Sequence, residues 1–320
     1  MSDAGVAALQ LVESLEGDGW GRALGGEPGG RRWATAETGL LHLWSGRSLE
    51  RSVPVPGYVD GAPAVDADGT VRLGRFVVAE GSEPEYVRGD QDILVGGLDG
   101  AAADFPERFA ARRVEWLADG SAAAVLATYR KPRERAGTVP EPPPPPDRLL
   151  LVDGRWERLL AVLDEGGDLA GPPDVAVAGG LVAVAGSRAR AVDARSGRTV
   201  AALAPGSAWE AVAWAAGGQR LALAGDGEVA LCGADGSLLG RWELESSGAG
   251  RPRTALDANA TRFAVASGAT VDLWSAGGAL LARTRVGADV QGMAFSEAGD
   301  LYVLTGPPAR AVEIYSGAVP

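Results

Sequence analysis

The chain has 320 residues, 46% of them hydrophobic, with 47 glycines and 20 prolines. That is enough apolar surface to exclude wholesale disorder and too many turn formers for a helical protein, so an all-β fold is favoured. Forty-two acidic against 30 basic residues give a net charge of −12, which repels a phosphate backbone and excludes nucleic acid as an expected partner.

The first 17 residues carry Asp3, Glu13 and Glu16 and no basic residue, so they lack the charged start of a secretory signal. No apolar run approaches the roughly 20 residues that span a bilayer, and the single cysteine, Cys232, cannot form an internal disulfide. A reducing, cytoplasmic compartment with no membrane contact is expected. Lys131 is the only lysine, and the excess of arginine, alanine and glycine suggests a GC-rich bacterial genome.

In chain order, the first candidate element is the apolar stretch Gly5 to Leu15 (GVAALQLVESL). It fits an outer strand, while Val6, Leu9, Val12 and Leu15 also fit the stripe of a short amphipathic helix. From Trp20 the sequence settles into a repeat of four short alternating or apolar runs separated by glycine-containing turns. The first copy is WGRALGGEPGG, RRWATAETG, LLHLWSG, RSLERSVPV, from Trp20 to Val55. Two less regular copies follow, Tyr58 to about Phe109 and Arg112 to Leu163. Regular copies then run from Pro172 to Gly206, Trp209 to Leu244 and Arg253 to Val286, and a last one starts at Asp289.

Glycines at the turn after each third strand fall at Gly46, Gly100, Gly154, Gly197, Gly236, Gly278 and Gly317, with spacings of 54, 54, 43, 39, 42 and 39. The shorter spacings match the roughly 40 to 45 residues of a four-stranded propeller blade, and the longer ones each contain an insertion. The expected fold is a single all-β propeller over 1–320 with seven four-stranded blades. They lie at about 20–55, 58–110, 112–164, 172–206, 209–245, 253–287 and 289–318. The last copy lacks a fourth strand, so residues 5–15 are expected to complete it and close the ring.

Third-strand endings such as Leu41-His42-Leu43-Trp44-Ser45-Gly46, Val271-Asp272-Leu273-Trp274-Ser275 and Ile314-Tyr315-Ser316-Gly317 make the chain resemble a divergent WD40-type propeller. So does the first-strand ending Phe295-Ser296-Glu297-Ala298-Gly299-Asp300. The rhythm covers nearly the whole chain. The glycine-histidine pair usual in that family is missing, and His42 is the only histidine, so the family's histidine, aspartate, serine and tryptophan network cannot be assembled. The resemblance implies a repeat scaffold that binds partner proteins.

Catalysis finds little to work with. His42 lies in an alternating strand, no G-x-S-x-G nucleophile elbow is present, and Cys232 sits in an apolar third strand with no basic neighbour. Zinc lacks ligands. Asp66, Asp68, Asp226, Asp235 and Asp300 occupy turn positions near glycine, where bonding to local backbone accounts for them. No catalytic residue, metal site or cofactor is expected.

The partner-binding candidates lie elsewhere. Residues 130–147 insert Arg130, Lys131, Arg133 and Arg135, then Pro142, Pro143, Pro144 and two further prolines, between the second and third strands of the third copy. Consecutive prolines impose an extended conformation with no amide for a sheet, so this arm stands off its blade as a basic docking element or a tolerated insertion. A second insertion, Glu80 to Asp92, falls at the matching place in the second copy, and WD40-type connectivity brings both loops to one face. Trp20 and Trp209 stand where first strands begin, near the channel rim, and either pack in the core or anchor a partner. The expected function is a non-catalytic scaffold or adaptor of a bacterial multi-protein system, whose protein partners are encoded nearby. The alternative is a propeller enzyme or small-ligand binder with an oxygen-lined axial site that could take calcium, as in lactonase-like propellers.

Overall fold

The computed structural model describes residues 7–16, 23–26, 32–37, 40–54, 58–59, 63–65, 71–76, 93–96, 109–117, 121–129, 148–153, 159–164, 174–215, 217–225, 227–244, 251–307 and 311–316. The regular structure among them is β-strand throughout. Strand β1 is Leu11–Glu16. The first copy gives β2 (Ala23–Gly26), β3 (Arg32–Glu37), β4 (Leu40–Ser45) and β5 (Ser48–Pro54). The second gives β6 (Tyr58–Val59), β7 (Ala64–Val65), β8 (Val71–Phe76) and β9 (Ile93–Gly96). Then follow β10 (Phe109–Trp116), β11 (Ala122–Tyr129), β12 (Arg148–Asp153) and β13 (Leu159–Asp164), and next β14 (Val175–Ala178), β15 (Leu181–Val184), β16 (Arg190–Asp193) and β17 (Thr199–Ala202). The last three copies give β18 (Ala211–Trp214), β19 (Arg220–Gly225), β20 (Glu228–Gly233) and β21 (Leu238–Glu243); β22 (Arg253–Leu256), β23 (Arg262–Ser267), β24 (Thr270–Ser275) and β25 (Leu280–Arg285); and β26 (Val290–Phe295), β27 (Leu301–Thr305) and β28 (Ala311–Tyr315).

Among the described residues these strands build a β-propeller of six four-stranded antiparallel blades: β2 to β5, β10 to β13, β14 to β17, β18 to β21, β22 to β25, and β26 to β28 with β1 outermost. The expectation of seven equivalent blades is corrected to six. In the second copy, β8 pairs antiparallel with β6 and β7 but parallel with β9. A parallel partner cannot be reached by a hairpin. The hairpin expected to carry the insertion at 80–92 is therefore not formed, and that insertion itself lies outside the described residues.

The six blades share one irregularity. Where the third strand pairs with the fourth, the register slips by one residue at the same place in each blade, leaving Glu50, Leu160, Val200, Leu239, Leu281 and Val12 as the extra residues. Such a bulge bends the outer strand and increases its twist. Four of the turn glycines between third and fourth strands, Gly46, Gly197, Gly236 and Gly278, have φ of 54°, 67°, 84° and 85°, the left-handed region where a side chain is strained. At Gly278 a Cβ would also collide with the Trp242 indole of the neighbouring blade. These glycines set the period seen in the sequence.

Small and branched residues fill the strands because each blade is covered on both faces by its neighbours. Ala264, Leu273, Val303 and Ile314 are fully enclosed. Inner strands touch from blade to blade: β10 with β14, β14 with β18, β18 with β22, β22 with β26 and β26 with β2. An aromatic stack marks the last of these seams, with Trp33 4.9 Å from Trp44 and 4.7 Å from Tyr302. Phe263, Trp274 and Trp242 form a similar stack two blades earlier.

The segment read as strand or helix is a strand. β1 pairs antiparallel with β28 from Leu11↔Tyr315 to Glu16↔Ala311. Before it, the Arg283 amide donates to the Ala7 carbonyl at 2.9 Å, the Ser316 amide donates to the Gln10 carbonyl at 2.9 Å, and Ala7 bridges Ala282 in parallel. A helical stripe would have buried Val12 beside Leu9, whereas Leu9 is 8% exposed and Val12 39%. The chain therefore rests on the outer edges of two successive blades.

Candidate functional site

The basic arm is mounted on a complete hairpin. β11 and β12 pair without interruption from Ala122↔Asp153 to Ala127↔Arg148, and β10 extends the sheet beyond that point through Ala110↔Thr128 and Phe109↔Tyr129. At the base, Val125, Leu149, Leu150, Leu151 and Val152 are at most 1% exposed. The strands that flank the insertion thus meet their ladder partners without it. Arg130, Lys131, Arg133, Arg135, Pro142, Pro143 and Pro144 lie outside the described residues, as does Trp20.

Trp209 has no free face. It is 2% exposed and packs with Leu203, Leu221 and Cys232. Its indole N–H donates to the Ala204 carbonyl at 2.9 Å, and the Arg241 guanidinium lies 5.5 Å from the ring centroid. Ala204 sits at φ 37°, a conformation held by this buried seam. Of the two readings of Trp209, core packing or partner anchor, its burial matches core packing: a side chain placed at the start of a first strand meets the preceding blade.

One position within the third strand has its own chemistry. Two residues ahead of Trp44, Val192, Trp274 and Tyr315 stand His42, Arg190, Asp272 and Glu313. Each finds a partner within its own blade or on the preceding one. His42 Nδ1 is 2.7 Å from Ser52 Oγ, and the Arg190 guanidinium donates to the Leu163 carbonyl at 2.8 Å. Asp272, 2% exposed, accepts two bonds from the Arg283 guanidinium at 2.7 and 2.9 Å. Glu313 accepts from the Tyr315 hydroxyl and from the Gly287 amide. Burial and the Glu313 carboxylate push the Tyr315 hydroxyl well above the usual tyrosine range. The position is thus polar in four of the six blades and held by a different partner in each, whereas Leu150 and Ala230 occupy it in the other two.

Cys232 is fully buried, and desolvation pushes its thiol up to about 11, so a thiolate is disfavoured. The two described turn carboxylates differ: Asp235 binds locally, accepting from the Ser237 hydroxyl and amide at 2.6 and 3.0 Å, which holds its carboxyl below the usual range, whereas Asp300 reaches a neighbouring blade. The amide of Asp300 donates to Ser296 Oγ at 3.0 Å while its carboxylate meets Arg47 at 3.4 Å. Asp66, Asp68 and Asp226 lie outside the described residues. Among the described residues no group of three His, Cys, Asp or Glu is placed to hold a metal ion, and no helix is long and apolar enough to cross a membrane.

Sequence reasoning missed the Asp272–Arg283 pair and the residues that link neighbouring blades. Arg220 donates to the Ala260 carbonyl and Arg262 to the Gly299 carbonyl. Both arginines open a second strand, so alignment of the repeats on their turns would have exposed the recurrence. Comparison of the chain with protein-family models and with curated proteins finds no match.

Proposed function

We propose that this protein is a non-catalytic scaffold or adaptor of WD40-like type, one component of a bacterial multi-protein system in the cytoplasm, with its ring closed by β1. The carrying observation is the mount of the arm: a hairpin complete at Ala127↔Arg148 joined by a segment with four basic residues and five consecutive prolines on a chain of net charge −12. A segment that the ladder does not need is free to meet an acidic partner surface. Its prolines limit the conformational entropy lost on docking.

The competing reading is a propeller enzyme or small-ligand binder with an oxygen-lined axial site. Purified protein separates the two. The scaffold reading expects a stoichiometric complex with a protein encoded beside it and no thermal stabilisation by calcium. A rise in melting temperature with millimolar calcium, with no complex formed, favours the ligand binder.

A further inference from the structure

The outer strands of the blades are chemically alike and differently covered. The bulge residue is apolar in five of the six, namely Leu160, Val200, Leu239, Leu281 and Val12. On β25, Leu281 is half-buried against the cluster that holds Leu9, with Ala7 packed beside it. On β21 the equivalent Leu239 is 48% exposed and its neighbour Leu238 51% exposed, and on β17 Val200 is 57% exposed.

β21 and β25 also match in backbone register. Leu244 and Val286, which follow equivalent pairs, both turn their amides inward, to the Gly227 and Ala269 carbonyls. The amides of Arg241 and Arg283 therefore point outward, one residue in two along an antiparallel edge. That of Arg283 donates to the Ala7 carbonyl at 2.9 Å. Among the described residues no strand pairs with the outer edge of β21.

We propose that the outer edge of β21 is a docking site for an extended segment of small and apolar residues carried by another protein, which adds to the sheet in parallel as residues 7–9 add to β25. The molecule itself supplies the template: Ala7-Ala8-Leu9 lies on the equivalent edge one blade away, with Ala7 opposite Ala282 and Leu9 buried. On β21 the partner's carbonyl accepts the Arg241 amide, and a small residue faces Gly240, which stands where β25 has Ala282. Leu238 and Leu239 supply the apolar contact, while the Arg241 side chain is already held by the Ala204 and Pro205 carbonyls and by Glu228, so the segment recognised is neutral. β21 is favoured over β17 because it offers six residues of edge against four. Main-chain bonds give such additions their affinity and side-chain pockets their specificity.

This surface is a second attachment point for the scaffold proposed above and rests on that reading. The test does not involve the arm, so the two proposals fail separately. The full chain is incubated with a capped synthetic peptide of residues 4–10, AGVAALQ, at about 1 mM, and amide hydrogen exchange is followed by segment. Exchange over 238–243 is expected to slow at least threefold. The effect is lost with L239K or L238K chains that melt at the parent temperature, and with a peptide carrying proline in place of Ala7. No slowing over 238–243, slowing that survives both changes, or slowing confined to 280–285 and 311–315 overturns the proposal.

Discussion

The buried Asp272–Arg283 pair carries an asymmetric cost. Removing Arg283 strands a carboxylate that is 3% exposed, whereas replacing both residues with apolar ones of similar shape removes the problem with the charge. Arg283→Met is expected to destabilise by about 2–3 kcal/mol, less than a fully buried pair would because the guanidinium is partly solvated, with Asp272→Leu/Arg283→Met recovering most of the loss in urea unfolding. Cys232 gives a pH-dependent readout. Its thiol is raised from 9.0 to about 11 by burial, so the neutral form is favoured in the folded state. The resulting stability is fully present below pH 9 and is lost as pH rises toward 11. Cys232→Ala is expected to flatten the stability profile in that window, and thiol labelling of the parent at pH 8 should proceed only at the rate of unfolding. Replacing His42 and Cys232 together with apolar residues is expected to leave partner binding unchanged; loss of binding with the fold preserved would reveal chemistry at one of them.

At the scale of elements, the strands were legible because alternation and turn glycines are local signals: Thr270 to Ser275, read from VDLWS, is a strand with its interior four residues buried. The second copy was not legible. Its insertion hid that β9 would pair parallel with β8, a long-range choice that periodicity does not encode. For Trp209 the sequence left core packing and partner anchor both open, since its exposure depends on the neighbouring blade. The arm was legible as composition alone. Changing Arg130, Lys131, Arg133 and Arg135 to glutamate is expected to slow association with an acidic partner, most at low ionic strength where the charges are least screened. A salt-independent effect would remove the arginines and lysine from the encounter step.

At the scale of the molecule, six blades in contact through their inner strands leave the outer edges of β25 and β28 dependent on residues 7–16. Deleting residues 1–16 uncovers the β28 edge and the cluster around Leu9, and aggregation or a fall of several degrees in melting temperature is expected. A soluble truncation with unchanged melting would show that β1 is dispensable. The missing fourth strand of the last copy made this element readable from the sequence, while the turn glycines supported seven blades where six form, because they count repeats and not pairings.

The claim that the propeller is a scaffold binding through its basic arm is tested most directly by replacing residues 130–147 with a short glycine-serine loop. Affinity for the co-encoded partner is then measured beside the melting temperature. The hairpin is complete at Ala127↔Arg148, and shortening a loop costs the fold little, so melting should be unchanged while affinity falls at least tenfold. Unchanged affinity with unchanged melting would contradict the claim and reduce the arm to a tolerated insertion.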